Sequence, residues 1–307
     1  MKQSISKLNK RLGDKLYSGS FLAPSLIGVL VFFIIPFFFV IYYAFIDSPV
    51  GQNFVFFQNF QRVLGNLAFQ RAARNTVMFS IVAVPLAVTL GLALAVLLEQ
   101  KIPMKSQLRT FFLSPMMVPV ASIVLIWEVL FHQNGAMNEV LSSIASSTGL
   151  FSYDRAAGQW ISWFYSDHAQ LPIVVLFLWR NLGYNMILFM AALNNIPRDL
   201  LEVASLEGGS HAYIFRTIKL RFLSPTILFV TILSVINSFK VFREVFLLTG
   251  THPYGGLYML QHYMNNMFHN LDYQSLAAAA IIMALVMIAI IGFLFVAEHW
   301  YGKDVEG

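Results

Sequence analysis

The 307-residue chain contains no cysteine. Disulfides, thiolate nucleophiles, Cys-ligated zinc and Cys-ligated iron–sulfur clusters are therefore excluded, and no redox compartment is implied. Charge is nearly as scarce. Asp, Glu, Lys and Arg make up 11% of residues, against about 25% in a typical soluble domain. That is too little to coat a soluble globule of this length, so a soluble enzyme, a disordered chain and a fibrous protein are excluded. No G-x-x-x-x-G-K-[ST] loop occurs, so the chain has no phosphate-cradling loop of its own. What is abundant is apolar: 58% of residues are hydrophobic, 29 of them Phe. The sequence is that of an integral membrane protein with one membrane domain. Its net charge of +5 is the mark of basic cytoplasmic loops rather than of nucleic-acid binding.

A membrane span needs about 20 mostly apolar residues. Six runs qualify, at about Phe21–Ile46, Val77–Leu98, Phe111–Phe131, Leu171–Leu193, Leu223–Phe242 and Leu276–Ala297. The first is longer than the apolar region of a signal peptide and lacks a small-residue cleavage site, so it reads as an uncleaved helix. Ser234, Asn237 and Ser238 interrupt the fifth. Prolines sit in or beside the spans at Pro36, Pro85, Pro115, Pro119, Pro172 and Pro225, which membrane helices tolerate when neighbours satisfy the freed carbonyls. Ala83, Ala87, Gly91 and Ala95 form a small-residue stripe that either lets another helix approach closely or reflects only how common Ala and Gly are in membrane helices. The expected fold is an all-α membrane domain over residues 21–298, between cytoplasmic tails at 1–20 and 299–307. With the N-terminus inside, 13 of the 20 basic residues fall on inner segments, among them Lys2, Lys7, Lys10, Arg11, Lys15, Lys101 and Lys303. Six fall outside, including Arg155, Lys240 and Arg243, and Arg180 lies within a span. The positive-inside rule therefore places both termini in the cytoplasm.

The most informative stretch is IPRDLLEVASLEGGSHAYIFRTIKLRFLSP, Ile196 to Pro225, between the fourth and fifth spans. Pro197 suits the first position of a helix. A helix from there to about Glu207 presents Leu200, Val203 and Leu206 at helical spacing. Gly208 and Gly209 then stop it, and Ser210 caps a second helix with Ile214, Ile218 and Phe222 on one stripe. Such a helix–turn–helix either lies on the lipid interface or docks a cytoplasmic partner.

This loop resembles that of the permease subunits of maltose-type ATP-binding-cassette importers for carbohydrates. Their signature is Glu-Ala-Ala, three residues, Gly, and an Ile-x-Leu-Pro further on. Glu202 and Ala204 match its first and third positions, Val203 replaces the middle alanine, Glu207 stands where Asp is usual, and Gly208 matches the glycine, with Gly209 after it. Phe215, Ile218 and Leu220 match the downstream apolar positions and Pro225 the closing proline. Arg221 replaces the proline after Leu220, a departure that bears on how the second helix meets the membrane. The resemblance extends over about residues 20–300. It includes Phe21–Pro36, Asn59-Phe60, Asn75-Thr76, Gly91–Gln100, Arg109–Pro119, Trp127 with Gly135 and Asn138, and Phe242–Pro253, where Thr251 and His252 replace two glycines.

The resemblance implies a type I ABC importer permease fold of about six transmembrane helices with a cytoplasmic coupling helix–turn–helix at about 194–222. It implies a multi-pass subunit of the bacterial cell membrane that moves a carbohydrate, an oligosaccharide first, by alternating access. Its partners would be a second related permease, two ATPase subunits and an extracytoplasmic solute-binding lipoprotein. The chain itself would be no enzyme and hold no cofactor, ATP and magnesium belonging to the ATPase. Glu202, Val203, Ala204, Glu207, Gly208, Gly209, Ile218, Leu220 and Pro225 would couple to that ATPase.

The expected cargo path is polar. Arg180, Asn181, Tyr184 and Asn185 cluster in the fourth span, the last three sharing one helical face, and Ser234, Asn237 and Ser238 repeat that spacing in the fifth. Two polar faces suggest one cavity, with sugar stacking on Tyr184 or Phe239; the competing reading is helix–helix hydrogen bonding without a ligand. A charged Arg180 mid-span belongs toward the bundle interior or water. His252, His262 and His269 lack ligand spacing, so no metal site is expected. Glu128 reads as a helix-end carboxylate. Trp160 and Trp163 read as interfacial aromatics in an outer segment, His132–Gln170, that by family analogy meets the binding protein. Three rivals stand. The same machine would carry glycerol phosphate or another polyol derivative, with Arg180 reading the acid group. An ion-driven secondary transporter would show inverted repeats and buried carboxylates; the sequence shows no clear repeat and few intramembrane acids. A membrane-embedded enzyme would need a paired catalytic constellation, which is lacking.

Overall fold

The computed structural model describes residues 22–100, 102–148 and 161–302. The basic N-terminal tail, Lys101, Arg155, Trp160 and Lys303 lie outside the described residues. Those described are helical, apart from turns and one isolated β-bridge between Ile46 and Phe54. They fall into two compact units, one within Met1–Leu64 and Met267–Leu285, the other within Gly65–Asn266 and Val286–Gly307.

The first unit contains the first span, Leu22–Phe45. Its Leu30–Ile34 segment is a π turn, in which Ile35 N–H reaches back to Leu30 O. Pro36 follows directly. A proline has no N–H to close an ordinary α turn, and a widened turn beside it lets the helix continue. Beyond the span, the Asp47 carboxylate accepts from the Asn53 backbone at 3.0 Å and from the Asn53 amide at 2.9 Å, closing the loop. The Asn59 amide donates to Ala44 O and Ile46 O at 3.0 and 2.8 Å.

The second unit is built on the second span, Leu67–Glu99. Asn66 caps it, its side chain accepting from the Ala68 and Phe69 amides. The helix starts ten residues before the expected Val77. Gln70, Arg71, Arg74 and Asn75 break the apolar run but not the helix, and the Asn75 amide is used, donating to Gly255 O and Tyr258 O at 2.9 Å each. The fourth span, Gln170–Asn194, lies against the small-residue stripe. Ala83, Ala87, Gly91 and Ala95 are all buried, and a Cβ on Gly91 would stand 2.8 Å from the Asn185 Cβ.

The third span departs from the expected straight helix Phe111–Phe131. It is two helices, Lys105–Met117 and Val120–Leu130, bent by 100°. Pro119 is the cause. It biases the preceding residue out of the α region, and Val118 is extended at φ −77°, ψ 131°. The fifth span also differs. The loop's second helix is not separate but continues, through a π turn at Phe215–Lys219, into Leu220–Phe239, and after a break at Lys240-Val241 the path resumes as Phe242–Thr249. The π turn shifts the register, so the expected Ile214, Ile218, Phe222 stripe splits: Ile214 is buried and Phe222 exposed. The last span is Tyr273–Gly302.

Two apolar cores fill the second unit. One gathers Phe79, Ile123, Trp127, Phe131, Ile173 and Phe177. The other gathers Val84, Leu98, Met186, Phe189, Leu223 and Val230. Between the third and fourth spans the backbones touch: a Cβ on Gly183 would sit 1.9 Å from Phe112 O. Gly183→Ala is therefore expected to destabilise by about 1–3 kcal/mol through overpacking. At Gly292, also helical, a Cβ would meet nothing within 4 Å, so Gly292→Ala is expected to gain about 0.5–1 kcal/mol from reduced chain entropy. Thermal unfolding in detergent checks the opposite signs; a lower Tm for Gly292→Ala than for Gly183→Ala would refute the assigned contacts.

Candidate functional site

The second unit encloses a cavity of about 390 Å3 between the fourth and fifth spans. Four residues expected on a polar path line it: Arg180, Asn181, Tyr184 and Asn237. The Asn237 amide donates to Asn181 Oδ1 at 3.0 Å, and the Asn181 amide donates to Phe177 O at 2.8 Å. Met116, just before the bend in the third span, also lines the cavity.

Asn185, Ser234 and Ser238 do not reach it. The Asn185 amide donates to Ala87 O at 3.2 Å and to Ser234 Oγ at 3.1 Å. Ser238 Oγ lies 2.8 Å from Ser80 Oγ. These three hold the second, fourth and fifth helices together, as buried polar groups do between membrane helices. The reason is geometric. Tyr184, one residue before Asn185 and about 1.5 Å away along the axis, still lines the cavity. The further turn of about 100° carries Asn185 off that face and into the seam that Gly91 opens.

Glu244, absent from the sequence expectations, forms an ion pair with Arg180. It is only 6% exposed. Lys240 and Arg243 line the same cavity. The sequence alone ends the fifth span at about Phe242, which leaves Arg243 and Glu244 beyond it, and counts Lys240 with the outer basic residues. A usable signal is present: Glu244 is the one acid in Val241–Leu248, a run apolar but for Glu244 and the adjacent Arg243, with Lys240 just before it, and Arg180 is a mid-span cation without a counter-charge.

The loop between the fourth and fifth spans carries the helix Arg198–Leu206. Pro197 is its N-cap, extended at ψ 127°, rather than its first helical residue. Its end is a complete Schellman motif: Gly209 N–H bonds Ala204 O at 2.9 Å and Gly208 N–H bonds Ser205 O at 3.2 Å. Gly208 is left-handed, φ +86°, with open space where a Cβ would be, whereas a Cβ on Gly209 would stand 2.7 Å from Ala204 O. Ser210 Oγ then accepts from Tyr213 N–H at 3.2 Å, starting the next helix. Ile196 and Leu201 pack on the core below. The opposite side is open: Val203 is 53% and Leu206 88% exposed, and Glu202, Glu207 and Gly208 are exposed beside them. Ala204, Gly209, Ile218 and Leu220 are half-buried, and Pro225 sits exposed inside Leu220–Phe239. Lys219 ties this segment to the end of the second span, its Nζ 2.6 Å from Glu99 Oε2, while Lys105 Nζ donates to Glu99 O at 3.3 Å. Glu99 and Lys219 lie 120 residues apart, and no local pattern joins them.

Other residues have structural tasks. Trp163 is buried rather than interfacial, its ring 5.4 Å from that of Phe131. His262 is buried with its ring 4.6 Å from that of Phe242, and its Nδ1 accepts from Met259 N–H at 3.2 Å. Burial pushes its pKa down to about 4, so it is a neutral packing residue. The Trp127 indole donates to Pro172 O at 3.0 Å.

Residues 87–301 match the family described as "Binding-protein-dependent transport system inner membrane component". The chain is 29% identical over 289 residues to the sn-glycerol-3-phosphate transport system permease protein UgpA of Rhizobium meliloti (strain 1021), covering 92% of this chain and 94% of that protein. It is 31% identical over 241 residues to the lactose transport system permease protein LacF of Rhizobium radiobacter, covering 77% and 78%. Its fold matches, with a TM-score of 0.80 at 18% identity and coverage of 96% and 98%, a chain in the crystal structure of a bacterial alginate ABC transporter in complex with an alginate pentasaccharide-bound periplasmic protein. The chain is thus a multi-pass membrane protein and belongs to the binding-protein-dependent transport system inner membrane component family.

Proposed function

We propose that the chain is the transmembrane subunit of an ATP-driven importer that moves a carbohydrate delivered by an extracytoplasmic binding protein. It pairs with a second, related permease and two copies of a separate ATPase. The observation that carries this is the exposed helix Arg198–Leu206. Its outward apolar side and Glu202 offer a partner cleft both apolar contact and a charge-assisted bond. Glu99–Lys219 joins the adjoining segment to the second span, so closure of the ATPases would be passed to membrane helices as rigid-body motion. The excess of basic residues on one side of the expected spans, thirteen of twenty, supports a cytoplasmic position for that helix and both termini. The cavity at Arg180, Asn181, Tyr184 and Asn237 is then the cargo path, with amides and a phenol for sugar hydroxyls. The relatives' names support a sugar or polyol derivative as cargo.

The test is uptake by the complete complex in vesicles with its binding protein outside. Accumulation is expected to require ATP inside and to survive an ionophore. Uptake abolished by the ionophore with ATP intact would instead establish a secondary transporter.

A further inference from the structure

We infer that the cavity selects an anionic cargo, a sugar or polyol bearing a carboxylate, phosphate or sulfonate. This rests on the reading of the cavity as the cargo path. Three cations line it, Arg180, Lys240 and Arg243, against one carboxylate, Glu244. The formal surplus is two positive charges within about 390 Å3, in a chain only 11% charged. The rest of the wall includes Leu176, Phe177, Leu233 and Val241, so little solvates these cations from the protein side. A neutral sugar would displace water from these cations without supplying a counter-charge, while an acid group between them completes the charge.

The Arg180 guanidinium also keeps donors in reserve. Glu244 takes one nitrogen, Nη1, and the Arg180 side chain remains 24% exposed. An arginine has five N–H donors in a fixed fork suited to planar acid groups, so one carboxylate leaves most of them available. Glu244 Oε2 is buried without a partner. Glu244 thus acts as the resident counter-ion of Arg180, and the cargo acid joins Arg180 from the open side. Lys240 and Arg243, three residues apart and both exposed, meet the acid first. Asn181, Tyr184 and Asn237 remain for the hydroxyls.

The experiment uses the complete transporter in vesicles of zwitterionic lipid, so that no lipid acid competes for the cations. The probe is a mixture of neutral and uronate-containing mono- to tetrasaccharides with glycerol and glycerol 3-phosphate, and accumulated species are counted by mass spectrometry. Acidic species are expected to accumulate at least tenfold over neutral ones of equal size. The double variant Lys240→Gln, Arg243→Gln is expected to lower that ratio about tenfold; a merely structural role would lower all species alike and leave the ratio standing. Neutral species accumulating as well as acidic ones, or a ratio unmoved by the double variant, overturns the inference while leaving the importer intact. No accumulation at all, with ATP hydrolysis unresponsive to the binding protein, overturns the importer reading itself.

Discussion

Gly208→Asp and Glu202→Lys are expected each to abolish ATP-driven uptake while the chain still inserts and folds. Gly208 is left-handed at φ +86° and its Cβ position is open. A non-glycine residue there costs about 1–2 kcal/mol of backbone strain, too little alone to unfold a membrane domain. The damage falls on the surface. The new carboxylate would stand beside the exposed Leu206 and Glu207, where a closing partner would have to desolvate it. Glu202→Lys leaves helix propensity almost unchanged and reverses the charge offered to the partner. Losing a buried, hydrogen-bonded charge at an interface costs about 2–5 kcal/mol, about 30- to 4,000-fold in complex formation. Gly208→Ala adds strain without charge, so it should retain a measurable part of the uptake. Uptake and binding-protein-stimulated ATP hydrolysis are measured together on the same vesicles. Wild-type uptake with normal coupling in either charged variant would sink the docking role of this helix.

Much of the fold was legible because it is written in composition and local pattern. Long apolar runs mark spans wherever the helix is continuous, and the alanine–glycine stripe marks the seam on which the fourth span lies. The Schellman end at Gly208 and the Ser210 cap were legible for the same reason: each depends on residue types within six positions. What failed were features set by one backbone torsion or by distant partners. Pro119 breaks the third span because it fixes Val118, and hydropathy averages over that residue. The π turn at Phe215–Lys219 changes which side of the helix Phe222 faces, a shift no 3.6-residue period reports. The candidate site divided along the same line. Asn181 and Asn237 line the cavity while Asn185 and Ser234 bind helices together, although their spacings are alike; which side of the helix meets a neighbouring backbone separates them, and that is set by distant partners such as Gly91. Asn59, Asn75 and Trp127 lie in family-like stretches, yet each holds a backbone carbonyl.

The second large effect is expected at the Arg180–Glu244 pair. Either single substitution, Arg180→Met or Glu244→Leu, leaves the other charge stranded. Glu244 has a side chain only 8% exposed and Arg180 24%, so neither regains full hydration when its partner is lost. Breaking such a pair costs about 3–5 kcal/mol, with the Arg180→Met value at the upper end because the carboxylate left behind is the more buried. The double variant removes both charges and fills the volume with apolar groups. Replacing a whole buried pair in this way is often neutral or stabilising, so Arg180→Met with Glu244→Leu should unfold within about 1 kcal/mol of the wild type. The two single effects must then fail to add by several kcal/mol, as they do for groups in direct contact. Yet the double variant has lost the guanidinium that faces the cavity, and its uptake should stay below a tenth of wild type despite restored stability. Thermal unfolding and vesicle uptake, measured on the same four proteins, separate the two consequences. Single effects that simply add would show that the pair is not energetically coupled. A double variant that folds and transports normally would remove Arg180 from the cargo path and leave it a counter-ion alone.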